Sequence, residues 1–199
     1  MPSPSTDRLW DAIATGDDAA GLAAIADGAE LEARNDTGAT PLIAATKAGR
    51  TELAIALLEA GADPNAKDRI EDSAYLYAGA RGLNEILRAT LEHGADVTST
   101  NRYGGTALIP ASERGHVETV RILLAAGVDV NHVNRLNWTA LHEAIVLGDG
   151  SADHIEVVRL LLAGGADPTI PDGDGVLPRE LAAARGYQAM VTLIDETPR

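Results

Sequence analysis

Thr40-Pro41-Leu42-Ile43-Ala44-Ala45, then Gly49, then Leu53, Ile55, Leu57 and Leu58, then Gly61-Ala62-Asp63: this stretch decides the fold because it recurs. Its first glycine reappears as Gly16, Gly49, Gly82, Gly115, Gly148 and Gly186. The first five are spaced by 33 residues each, and the last interval is 38. The excess of five lies in one place, Asp149 to Asp153. A fixed period of this length marks stacked supersecondary units, none of which buries its apolar face alone. The functional question therefore moves from a catalytic pocket to the surface that such units present.

The residue nine before each glycine is Asp7, Thr40, Ser73, Thr106, Thr139 or Leu177. A Thr or Ser hydroxyl there is expected to cap the free N–H groups of a helix start. Pro41 and Pro178 follow at the first helical position, where a missing N–H is harmless. Each helix should run about eight residues and end at the glycine in a left-handed conformation. Pro110, one turn in, is expected to kink or loosen its helix. A second helix follows, with apolar residues at helical spacing, as in Val117, Val120, Ile122, Leu123 and Leu124. It ends at a second glycine column: Gly28, Gly61, Gly94, Gly127 and Gly165. A polar link then carries Gly38, Gly104, Asn137 or Gly175 at its tip, residues that tolerate positive φ. The third unit has Glu71 there, which predicts an irregular link.

Composition bounds the chemistry. Of 199 residues, 45% are apolar and only 3% aromatic, with no Phe, so the core is built from Leu, Ile, Val and Ala. The chain has no Cys, which excludes disulfides, thiolate metal sites and Cys nucleophiles. No stretch is long and apolar enough for a signal peptide or a membrane span. The net charge of −14 makes nucleic acid a poor partner and serves solubility. A soluble, cytoplasmic protein is expected.

The Thr-Pro-Leu-type starts, the two glycine columns and the Gly-Ala-Asp tripeptides closely resemble the ankyrin repeat, from about Asp7 to Ile194. The resemblance implies an all-α fold: an α-solenoid with short β-hairpin fingers, about six units including two caps. The expected organisation is one domain over 1–199. An N-cap unit spans about 7–35, full repeats span 36–68, 69–101, 102–134 and 135–172, and a C-cap unit spans 173–199. It also implies that His142, the one family histidine kept at its position, hydrogen-bonds near its helix start. Partners of such proteins dock on a concave face formed by the fingers and the ends of the first helices. Carried over position by position, that face holds the arginine columns Arg69-Arg102-Arg135 and Arg81-Arg114, with a step of roughly 10 Å. Ile70, Tyr103, Leu136 and Trp138 run beside them. Arg and aromatics dominate interface hot spots. The simpler reading of Arg81 and Arg114 is that each offsets a helix dipole.

No catalytic constellation emerges. None of the five histidines pairs with another at helical spacing, and His116 and His154 occupy one repeat position. Asp172-Gly173-Asp174-Gly175 lacks the further ligands of a calcium loop. No metal or cofactor is expected. Asp149–Asp153 is expected to be a tolerated surface loop, with Asp153 as an N-cap and Glu156 completing a capping box. The sharper alternative is a recognition or regulatory loop. The expected function is non-enzymatic: a monomeric protein-binding module or scaffold that grips an acidic segment of a partner protein, with no nucleic acid and no membrane. An inhibitory or regulatory subunit of an enzyme is the alternative. A small-ligand or catalytic role, or plain self-association, ranks below both.

Overall fold

The computed structural model of the chain describes residues 3–197; the first two residues of the expected domain and the last two of its expected C-cap unit lie outside them. Twelve helices, and no strand, are found among the described residues. They divide between two compact units, one running to Ala78 and including Leu83–Asp96, the other comprising Gly79–Gly82 and Val97 onward.

The first unit contains α1 (Pro4–Thr15), α2 (Asp18–Ala26), α3 (Pro41–Lys47), α4 (Thr51–Glu59), most of α5 (Ala74–Arg81) and α6 (Asn84–Glu92). First helices pack on first helices, α1 on α3, and second helices on second, α2 on α4 and α4 on α6. The second unit repeats the scheme with α7 (Leu108–Glu113), α8 (Val117–Ala125), α9 (Ala140–Val146), α10 (Ala152–Ala163), α11 (Pro178–Ala184) and α12 (Gln188–Asp195). Helices this short are marginal alone, and their stability comes from burying an apolar face. The buried faces are Leu9, Leu42, Leu53, Leu57, Leu58, Ile86 and Leu87 in the first unit, and Leu108, Leu123, Leu141, Val157, Val158 and Leu161 in the second.

The helix starts follow local chemistry, with exceptions. Thr40, Ser73 and Thr139 accept from the N–H three residues on, that is Ile43, Leu76 and His142. Asp7 does not cap: α1 begins earlier, and Ser3 accepts from the Thr6 N–H. Thr106 does not cap either, because α7 starts late, at Leu108. Its hydroxyl is buried without a partner. This late start spares the helix the kink expected from Pro110, which now falls in the first turn, where no intrahelical bond is required of it. At Leu177 no hydroxyl is available, and Glu180 reaches back to the Leu177 N–H at 3.0 Å.

The links between units are not β-strands but tight turns closed twice by backbone hydrogen bonds. In one, Asn101 N–H donates to Gly105 O at 2.9 Å and Gly104 N–H to Asn101 O at 2.8 Å. The third link is as regular as the rest, contrary to the irregularity expected of it. Asp68 N–H reaches Asp72 O at 2.9 Å and Glu71 N–H reaches Asp68 O at 3.1 Å, with Glu71 at φ 62°. The turn hydrogen bonds hold a residue with a Cβ in a conformation that disfavours it by about 1 kcal/mol or more. Glu71→Gly is therefore expected to stabilise the first unit by about 1 kcal/mol, read as a raised urea midpoint at unchanged m-value.

The insert alters its surroundings more than a plain loop would. Five of the six period-setting glycines have positive φ; Gly148 does not, and Gly150 takes the left-handed position instead, at φ 72°. The N-cap residue of α10 is Ser151, not Asp153, which lies inside the first turn. The expected capping box fails because Asp149 has drawn the chain into another turn, accepting from the Ser151 N–H at 2.9 Å.

Candidate interaction surface

Every finger is built on one residue five before the helix anchor: Asn35, Asp68, Asn101, Asn134 or Asp172. Its side-chain oxygen accepts two backbone N–H groups across the tip. Asn101 accepts from Tyr103 and Gly105 at 2.9 and 3.1 Å; Asn134 accepts from Leu136 and Trp138 at 2.9 and 3.1 Å. Such Asx turns present the next three side chains outward on a fixed backbone. This Asn/Asp column was legible as a repeat of one residue type, but it was read only as polar linker.

Two members of the first arginine column, Arg69 and Arg135, prove to be clips. Arg69 donates to Asp36 O, and its backbone N–H donates to Thr37 O at 3.1 Å. In the second unit Arg135 donates to Arg102 O at 2.7 Å, and its N–H to Tyr103 O at 3.0 Å. The arginine stems lie against the tip glycines, where a Cβ on Gly104 would meet Arg135 Cγ at 3.0 Å. The guanidinium reaches the carbonyl 33 residues back and so ties finger to finger. In the second column Arg114 works similarly, donating to Ala80 O at 2.9 Å, and Arg185, at the same repeat position in the last unit, donates to Val146 O at 2.7 Å. Both meet carbonyls at a first-helix end, as a cation offsetting the dipole should. Arg81 and Arg114 also flank His116; burial first, and then these two cations, hold its pKa below the ordinary value.

The two units differ in what is left for a partner. On the first, Lys47 is consumed by Asp68 at 2.5 Å and Asp72 at 3.5 Å, and stands over the Tyr77 ring. Burial works to raise the Asp68 pKa, but the Lys47 and backbone hydrogen bonds outweigh it, so Asp68 stays ionised. Ile70 stands exposed on the finger that carries the Asp68 and Asp72 carboxylates. On the second unit the Arg135 charge is met by a carbonyl oxygen rather than a carboxylate. The Arg102 guanidinium lies 4.7 Å from the centroid of the Tyr103 ring. Tyr103 and Leu136 are 54% and 55% exposed, and Leu147, at the end of α9, is 51% exposed. Trp138 is half-buried, its backbone fixed by Asn134 on both sides. The structure thus brings Arg102, Tyr103, Arg135, Leu136 and Trp138 together on two neighbouring fingers, and places Arg69 and Ile70 on the other unit.

Two polar clusters were missed in the sequence. Glu143, in α9, is buried and accepts from the Asn134 amide at 3.0 Å. Burial, and then the Glu113 carboxylate, raise its pKa to about 7, against the Asn134 and Arg114 contributions. The second cluster is Asp149, Ser151 and His154. It is not a nucleophile triad, since Asp149 and Ser151 converge on one ring nitrogen, Nδ1, at 2.8 and 3.1 Å. The other nitrogen is bound to Glu113 O at 2.9 Å. A triad needs the acid and the nucleophile on opposite nitrogens. His142 is structural: its Nδ1 accepts from the Thr139 N–H at 3.1 Å, and burial lowers its pKa against the opposing pull of Asp172. Among the described residues no His/Cys/Asp/Glu cluster could hold a metal ion, and no helix is long and apolar enough to cross a membrane.

The family follows from this geometry and from comparison. Residues 37–69 match the ankyrin repeat and residues 75–172 match ankyrin repeats in three copies. The chain is 55% identical to an ankyrin repeat domain of Acinetobacter baumannii AYE, with a TM-score of 0.90 and coverage of 94% of this chain and 95% of that one. It is 36% identical to the ankyrin repeat protein EF0377, with a TM-score of 0.93 and coverage of 97% and 98%. No curated protein matches it. The chain belongs to the ankyrin repeat family, whose members are generally non-catalytic protein–protein interaction modules.

Proposed function

We propose that the finger face of the second unit holds an acidic segment of a partner protein. The observation that carries this is the pairing of Arg102 and Arg135, tied together at 2.7 Å, with the exposed Tyr103 and Leu136. One bond to a carbonyl uses only part of the five-donor guanidinium of Arg135, and the remaining donors suit the forked geometry of carboxylates. Tyr103, Leu136 and Trp138 supply apolar anchors; Arg102 and Arg135 set register and attract the segment through a molecule whose net charge of −14 otherwise repels it. Arg81 and Arg114, which flank His116, support the face rather than contact the partner, and Arg69 and Ile70 belong to the first unit. The protein acts as a cytoplasmic, monomeric adaptor without catalysis of its own. Where the partner is an enzyme, the same grip makes this chain its regulatory or inhibitory subunit.

An unbiased selection of displayed peptides tests the reading. Wild type is expected to enrich Asp- and Glu-rich sequences, and Arg102→Glu/Arg135→Glu to lose them. Enrichment of basic or purely apolar peptides by the wild type contradicts it.

A further inference from the structure

Glu143, on α9, is a buried carboxylate that touches a finger from a helix. At its position, four after the helix anchor, the other units have Asp11, Ala44, Tyr77, Pro110 and Leu181, so an acid recurs only in the first of them and the repeat does not require one there. It is only 6% exposed, and its Oε1 accepts from Asn134 Nδ2 at 3.0 Å. Asn134 is bound through both its side chain and its backbone. Its oxygen closes the tip under Leu136 and Trp138, its N–H donates to Trp138 O at 2.9 Å, and its carbonyl accepts from Asn137. The chain from Glu143 through Asn134 to Trp138 is therefore continuous.

We infer that Glu143 is a proton-sensitive positioning residue: its carboxyl, acting through Asn134, sets the finger that carries Leu136 and Trp138, and its ionisation weakens capture there. The effect on capture rests on the acidic-segment reading above; the effect on the finger does not. The surroundings make ionisation consequential. From α7 come the Glu113 carboxylate, which repels a second negative charge, and the Arg114 guanidinium, which offsets it. From α10, His154 is bound to Glu113 O; from the end of α11, Arg185 is bound to Val146 O; and on α9 itself His142 is held by Thr139. On the finger, Arg135 faces Arg102. Burial and Glu113 raise the Glu143 pKa to about 7, so the change falls near neutrality. The folded state holds this proton more tightly than the unfolded chain. Stability is therefore highest below the unfolded value near 4.5 and declines as pH rises through about 7. An ionised Glu143 also places a negative charge beneath the face that attracts carboxylates.

Trp138 reports on the finger without any partner. The chain has two tryptophans, so Trp10→Phe isolates its emission. A titration from about pH 5.5 to 8.5 is expected to show one transition centred near 7, absent in Glu143→Gln, which keeps the acceptor but not the charge. Asn134→Asp keeps the tip closed, as Asp68 and Asp172 do in their fingers, but replaces the amide donor by a carboxylate; its transition should move to higher pH. Affinity for a selected Glu-rich peptide should fall through the same interval in wild type and stay level in Glu143→Gln. A transition retained in Glu143→Gln, or none in the parent, overturns the positioning role. A Glu143-dependent transition in a protein that binds no acidic peptide upholds that role and sinks the acidic-segment reading instead.

Discussion

Trp138→Ala is expected to lower affinity for the bound segment about 30-fold, roughly 2 kcal/mol, as a hot-spot truncation does. The reason lies in how the residue is held. Its N–H donates to Asn134 Oδ1 at 3.1 Å and its carbonyl accepts from Asn134 N–H at 2.9 Å, so the finger keeps its backbone when the indole is removed. What is lost is the large, rigid apolar surface at the base of the finger, flanked by Leu136. Leu136→Ala should cost less, about tenfold, because Leu136 stands 55% exposed and binding desolvates it less completely. Fluorescence anisotropy with a selected peptide measures both. An unchanged affinity for Trp138→Ala removes it from the interface.

Gly148→Ala is the substitution expected to damage the fold most. A Cβ there would stand 2.1 Å from Ala144 O and 2.5 Å from His154 Cδ2. Neither neighbour yields easily. The carbonyl belongs to α9, and His154 is tied to Glu113 O at 2.9 Å and to Asp149 at 2.8 Å. Tyr187 closes the insert from the other side, its ring against Gly150 and its hydroxyl donating to Gly148 O at 3.1 Å. The predicted loss is about 2–3 kcal/mol, from overpacking and the broken histidine bonds together. It reads as a lower urea midpoint of the wild-type shape. Gly28→Ala is the comparison, since a Cβ there meets nothing and only its φ of 81° is strained. Equal losses at the two sites would show that backbone strain, not the close approach at Gly148, governs the effect.

Much of this was legible in the chain. The period, both glycine columns and the caps at Thr40, Ser73 and Thr139 are set by local rules of φ and hydrogen bonding, which sequence records directly. What failed were the places where a distant group decides. Arg69 and Arg135 look like free cations until the carbonyl 33 residues back is in view. Glu71 looks wrong for a turn, yet the Asp68 side chain and backbone hold it there. Thr106 looks like a cap, but α7 starts after it. The insert reads as a loose loop, while His154 and Tyr187 fasten it to neighbouring units of the repeat. Glu143 gave one usable signal, an acid at a position that is Ala, Tyr, Pro or Leu in four of the five other units; its burial could not be read from that.

The most direct test is capture of a protein partner by wild type, by Trp138→Ala/Arg102→Glu/Arg135→Glu, and by Arg69→Glu. Equal helical signal and melting temperature are required of all three, because Arg135 also ties its finger to the preceding one. A partner retained by wild type and Arg69→Glu, and lost by the triple variant, is the predicted result. A partner held equally by all three would contradict the assignment of binding to the fingers of the second unit.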